Sequence, residues 1–177
     1  MSDLAQPQRL PSRQLPPPTP AIMHHSDLIE RYLSGAELLS AAVAGMDEEQ
    51  LDAKPIAGKW STRQVVCHIV DFEPIYLDRM KRVIAENCPT FFGGDPDVFA
   101  ARLAYQQRAV AGELQLLSAA RSHMGAILRE LTAADFQRTG NHSEAGTMTL
   151  EALLTNITNH VPHHIRFIND KRQSLGV

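Results

Sequence analysis

From about residue 24 onward, apolar positions recur at steps of three and four, the period of a helix packed along one face. A first helix over roughly 24–45 places Leu28, Tyr32, Leu39 and Val43 on one stripe, with Ser26 in position to cap it. Asp47 followed by Gln50, and Ser61 followed by Gln64, both have the spacing of a capping box. The first predicts a short turn. The second predicts a long helix whose stripe runs Val65, Ile69, Phe72, Tyr76, Met80 and Val83. Pro74 lies inside it, so a kink is expected near residues 70–74. Residues 87–98, rich in Gly, Pro and Asp, read as a loop. A third helix is predicted over about 98–131, along the seam Val110, Leu114, Leu117, Met124, Leu128 and Leu131. Thr139 to Thr147 is a second loop by composition. A last helix over about 149–172 carries Leu150, Leu153, Ile157, His160, His164 and Phe167 in one row. No run of alternating β-branched residues predicts a strand. Four helices of roughly 20 to 33 residues point to an all-α fold, a four-helix bundle.

Composition narrows the classes. The 177 residues carry 17 Lys+Arg against 20 Asp+Glu, a net charge of −3, without the basic excess of a nucleic-acid binder. No apolar run reaches the roughly 20 residues of a membrane span, and the N-terminus has no apolar signal core. Two cysteines, Cys67 and Cys88, make no disulfide framework. These features lead us to expect a cytoplasmic protein with neither nucleic acid nor membrane as partner. Six of the 11 prolines fall in the first 20 residues (Pro7, Pro11, Pro16, Pro17, Pro18 and Pro20). We therefore expect a disordered, proline-rich arm over 1–22 and a single domain over 23–177.

The histidines carry the chemistry. His160 and His164 are four apart, so both rings leave one face of the last helix. With eight histidines in the chain, such a pair often arises by chance. Its place in an apolar row adds weight, because the two rings should then face the bundle interior, where each nitrogen needs a partner. His68 lies on the row His68, Phe72, Ile75, Arg79 of the second long helix and is the third candidate. Three imidazoles from two helices would leave a coordination position open, the arrangement of a catalytic metal site. Core histidines satisfied by backbone or carboxylate are the competing reading, and spacing alone leaves both open. Asp71, one turn after His68, could orient that ring or serve as a base; it could equally be an ordinary exposed helical aspartate. Glu73 points to a different face and is a weaker candidate. His163 is read as a surface residue and His142 as a solvated loop residue. His24, His25 and His123 carry no signal, with His24 and His25 expected to be exposed. Cys67 is expected to be a buried structural thiol.

Gly58-Lys59-Trp60-Ser61-Thr62-Arg63-Gln64-Val65-Val66, leading into His68-Ile69-Val70-Asp71, resembles the start of the second helix in the DinB/YfiT-like superfamily. Gly146-Thr147-Met148-Thr149-Leu150, leading to His160-x-x-His163-His164-Ile165, is similar to that family's last helix, and Asn87-Cys88-Pro89-Thr90 resembles its YfiT-like branch. The resemblance covers about residues 28–172. It implies a four-helix bundle holding a divalent metal, zinc or nickel, through His68, His160 and His164, and a homodimer. Iron or manganese would also suit such ligands. Family members include transferases that use low-molecular-weight thiols such as bacillithiol or mycothiol, a mycothiol-dependent maleylpyruvate isomerase, and proteins described only as metal-dependent hydrolases. The expected function is therefore activation of a thiol or water toward a small electrophilic molecule. A non-catalytic metal-binding or stress-related interaction bundle is the alternative. Pro162 departs from an ordinary helix by removing the N–H bond to Thr158. A kink that keeps both rings convergent is expected; the other outcome is a break at Val161 that would lose the site.

Overall fold

The computed structural model describes residues 25–177; the proline-rich arm and His24 lie outside the described residues. Four long helices form the bundle: α1 (His25–Val43), α3 (Thr62–Ala85), α5 (Val110–Arg129) and α6 (Leu150–Leu175). Short helices α2 (Glu48–Asp52) and α4 (Pro96–Arg102) sit in the connections. Both capping boxes form: Asp47 and Ser61 accept the N–H of Gln50 and Gln64, whose side chains accept from the cap N–H groups. Helices α1 and α3 each pack against both α5 and α6, so the first two long helices of the chain lie across a diagonal.

Two expectations are corrected. The stretch predicted as one helix over 98–131 is divided, with a turn between α4 and α5. No glycine or proline marks the break. Ala104 takes a left-handed φ of 52° and Tyr105 drops into the core with its carbonyl accepting from Cys67, so tertiary burial overrides helical propensity. Three strands also form where none was expected. β1 (Thr90–Phe91) pairs in parallel with β2 (Thr139–His142), and β2 pairs antiparallel with β3 (Gly146–Thr149) in the register Thr139 to Thr149 through His142 to Gly146. At two to four residues each they are too short for alternation to appear in sequence. Gly140 belongs here for a steric reason, since a Cβ would lie 2.5 Å from the Phe91 ring.

The apolar core falls into two clusters. One gathers Leu28, Ile29, Met80, Met124, Leu128, Leu153 and Ile157; the other gathers Leu39, Val66, Ile69, Leu117, Val161 and Ile168. Along the helices, a polar layer lies between them. Glu73 accepts from Tyr32 Oη at 2.5 Å and from Arg121 Nε and Nη2 at 3.0 and 2.9 Å. Arg121 also donates to the carbonyls of Tyr32 (2.7 Å) and Ile157 (3.2 Å). All four long helices meet in this one network, and Glu73 and Arg121 are each 1% exposed at the side chain. Burial and the neighbouring Glu73 push the Tyr32 phenol far up, so it remains a donor. Gly35 makes room for the guanidinium: a Cβ there would sit 1.9 Å from Arg121 Nη1.

Removing one partner from such a pair strands the other charge in the core. Glu73→Ala is expected to cost about 3–5 kcal/mol, against about 1.5–3 kcal/mol for Tyr32→Phe, which removes one hydrogen bond to the carboxylate. Urea denaturation followed by circular dichroism measures both. Equal costs for the two variants would show that the charge pair is not the dominant interaction in this layer.

Candidate metal centre

His68 stands two turns into α3, and His160 and His164 project from consecutive turns of α6, the helix packed against it. Helix α6 runs unbroken through Pro162, as α3 does through Pro74, so the break at Val161 does not occur. His68 Nε2 lies 3.1 Å from His160 Nε2 and 3.1 Å from His164 Nε2. All three rings can bring a nitrogen within 4.8 Å of the others, and among the described residues they form the one cluster of His, Cys, Asp and Glu with metal-ligand geometry. The row His160, His164, Phe167 does not face the bundle interior as expected. The buried face of α6 is instead Leu150, Leu153, Leu154, Ile157, Val161 and Ile168, and the two half-buried histidines lie beside it.

Aromatic rings enclose the cluster. Trp60 and Phe72 lie 5.2 and 4.7 Å from the His68 ring, Phe72 lies 5.9 Å from His160, and Phe167 lies 5.7 Å from His164. Burial first, and then the mutual proximity of the rings, push His160 and His164 down to about 3. Burial takes His68 down to about 4 despite Asp71 and Asp97 nearby. All three are neutral at pH 7. A neutral imidazole nitrogen carries either a proton or a lone pair, so His68 Nε2 cannot satisfy two neighbours through two linear hydrogen bonds. The Nδ1 atoms of His68 and His160 are buried with no protein partner; with the proton on Nδ1, each Nε2 turns its lone pair inward. A divalent cation accepts such lone pairs together. Nitrogens around a tetrahedral zinc lie about 3.3 Å apart, and cis ligands of an octahedral ion about 3.0 Å. The observed separations fit this range, and the donor set suits a divalent metal.

The other candidates lie elsewhere. Asp71 makes no hydrogen bond to His68; Arg108 Nη1 and Nη2 take its two carboxylate oxygens at 2.9 and 2.8 Å, and Arg108 also pairs with Glu113. Glu73 belongs to the core network. His163 is exposed against Arg166. His142 caps the β2–β3 hairpin, its Nδ1 accepting from the N–H groups of Glu144 and Ala145. His25 is not exposed: its ring stacks on Phe136 at 3.9 Å. Cys67 is fully buried as expected, and burial pushes its thiol up to about 11.

The model of the DinB superfamily matches residues 32–168. The chain belongs to this family. A DinB relative from Bacillus mycoides (strain KBAB4), provisionally named a metal-dependent hydrolase, is 31% identical over 154 residues, covering 85% of this chain and 88% of its own length. A second, from Oceanobacillus iheyensis and named in the same way, is 29% identical over 131 residues, 74% of this chain and 76% of its own. Among solved structures, YfiT from Bacillus subtilis superposes with a TM-score of 0.82 at 27% identity, covering 92% of this chain and 94% of that one. That protein is described as a probable metal-dependent hydrolase with an unusual four-helix bundle topology. Among the described residues no helix is long and apolar enough to cross a membrane.

The depressed histidines set a pH dependence for the metal-free DinB chain. Between about pH 6.5 and 4 the unfolded chain takes up protons that the folded cluster refuses. Stability is therefore present above pH 6.5 and is lost as pH falls through this window. After chelation, the melting temperature should drop from pH 6.5 to pH 4, and His160→Asn should flatten the drop. An unchanged slope in that variant would show that the ring does not titrate in the unfolded chain alone.

Proposed function

We propose that this DinB chain is a metal-dependent enzyme in which His68, His160 and His164 hold one divalent ion, zinc or nickel ahead of iron or manganese. Its substrate would be a small electrophilic molecule, attacked by a low-molecular-weight thiol or by water. The observation that carries this reading is the convergence of three neutral imidazoles beside a cavity of about 400 Å³, which His164 lines. A storage or structural site would be closed by a fourth protein ligand. When bound, such an ion supplies Lewis acidity and lowers the pKa of a thiol or water held in the site.

The chain's own residues do the rest. Their burial keeps the three imidazoles unprotonated, so each offers a lone pair at neutral pH rather than a repelling charge. Trp60 and Phe72 cover the His68 ring and hold bulk water away from it. The cavity lies on the His164 side, so the substrate approaches there. We assign Asp71 a positioning role: through Arg108 it braces α3, one turn past His68, against the connection that leads into α5.

Elemental analysis of untagged protein tests the ligand set. Wild type should carry about one divalent ion per chain, and His164→Ala should lose it while keeping its helical circular dichroism. Full metal retention in that variant would remove the ligand assignment. No metal after reconstitution with zinc or nickel would favour the non-catalytic interaction bundle. In the same assay Asp71→Asn should keep its metal and lower thermal stability, because it touches Arg108 and not the rings; a variant that loses metal would return Asp71 to direct support of His68.

A further inference from the structure

The cavity beside His164 is walled mainly by Ile56, Trp60, Val65 and Phe167, and its volume of about 400 Å³ is at the small end for ligand sites. Asp97, Asp170 and Lys59 also border it, but all three are exposed and their charges are screened by water. Lys171 is different. It lines the same cavity yet is only 2% exposed. Its Nζ donates one hydrogen bond, 2.9 Å to the Phe167 carbonyl, and no described carboxylate forms an ion pair with it. An ammonium has three N–H donors, so two are left for a partner that the protein does not supply. Burial is costly and holds its pKa below the ordinary lysine value, and the exposed Asp170 carboxylate, too far for an ion pair, offsets only part of that cost.

Position adds to charge. Lys171 lies seven residues beyond His164, which returns it to the same helix face about 10 Å further along α6. Its side chain folds back to Phe167, in the direction of the histidines. A ligand filling this space meets a buried cation with no ion-paired carboxylate at one end, hydrocarbon and indole in the middle, and His164 at the other. Resting on the three-histidine reading above, we propose that Lys171 is the specificity-determining residue of the site. The molecule it admits is a small amphipathic carboxylate, with its anionic group on Lys171, its apolar body on Ile56, Val65, Trp60 and Phe167, and its reacting end at the histidines.

Trp60 is the single tryptophan of the chain and forms a wall of the cavity, so its fluorescence reports occupancy without any turnover. Hexanoate, hexan-1-ol and hexylamine are titrated into the full chain, both chelator-treated and zinc-loaded. Hexanoate should bind at least about tenfold more tightly than either neutral or cationic analogue in both forms, the scale of one charge-assisted hydrogen bond. Lys171→Met should remove that preference, leaving hexan-1-ol within about twofold of wild type. Equal binding of hexanoate and hexan-1-ol by the wild type overturns the proposal, and this comparison stands even if the methionine variant does not fold; Lys171→Gln is the second variant. A hexanoate preference seen only with zinc and kept in the Lys171 variants assigns the carboxylate to the ion and also overturns it. Metal content measured on the same samples separates the two readings. Hexanoate preference in a chain that binds no metal leaves the anion site standing and removes the enzyme. One ion per chain with no preference does the reverse.

Discussion

The charge pair between Glu73 and Arg121 constrains everything else in the molecule. It joins α3 to α5, takes the Tyr32 hydroxyl and carbonyl of α1, and reaches the Ile157 carbonyl of α6. Apolar packing constrains the helices through shape and volume, and a buried carboxylate and guanidinium add a directional constraint that tolerates no shift. Rotating or shifting any of the four helices would leave a charge without its partner. The histidines inherit this register. His68 lies five residues before Glu73 on α3, and His160 three residues after Ile157 on α6, within about 8 Å of axial rise in each case. Locking residues 73 and 157 to Arg121 therefore fixes where the two sets of imidazoles meet. The polar layer is the scaffold on which a tolerance of tenths of an ångström at the three Nε2 atoms can rest.

A second constraint acts on the rings themselves. A cluster of three imidazoles must be dry enough to stay neutral and open enough to admit a ligand. Aromatic neighbours meet the first demand on the faces of His68, where Trp60 and Phe72 pack. The position of His160 and His164 beside the core, not within it, meets the second. Burying them among Leu153, Ile157 and Val161 would have closed the cavity. Pro162 is compatible with this placement because it lies on the exposed side of α6, where the ring of a proline has room and the helix continues around it.

Much of this was legible before any coordinates. The capping boxes at Asp47 and Ser61, the stripe of α1 and the His68, His160 and His164 set follow from spacing and motif, because helical periodicity and local capping are short-range properties. What escaped depends on contacts distant in sequence. The seam of α5 steps by seven from Leu117 to Met124, and Arg121 fills the missing place; the gap was visible, but nothing local says that an arginine there turns inward to meet Glu73. Glu73 likewise replaces an apolar residue on the row of Val66, Val70 and Met80. The break after α4 has no glycine or proline to announce it, since it is set by Tyr105 entering the core. β1 is held by pairing with a segment some fifty residues away, which a two-residue strand cannot advertise, and β2 and β3, though local partners, run only four residues each.

The treatment of buried and half-buried cations separates structure from function in this chain. Arg121 has Glu73, Arg63 has Asp52 and Glu48, and Arg108 has Asp71 and Glu113. Arg79 has no carboxylate, but its guanidinium lies over the Tyr76 and Phe91 rings and donates to the Phe92 carbonyl, so aromatic faces and backbone satisfy much of it. Each of these ties one segment to another, and each is compensated by the protein. Lys171 ties nothing together: its one hydrogen bond stays within its own helix. A folding pressure alone would favour leucine or methionine there, at the loss of one hydrogen bond within the helix. Its burial at the wall of the cavity beside His164 makes sense if the missing charge arrives with the ligand, so that binding relieves an imbalance that folding leaves in place.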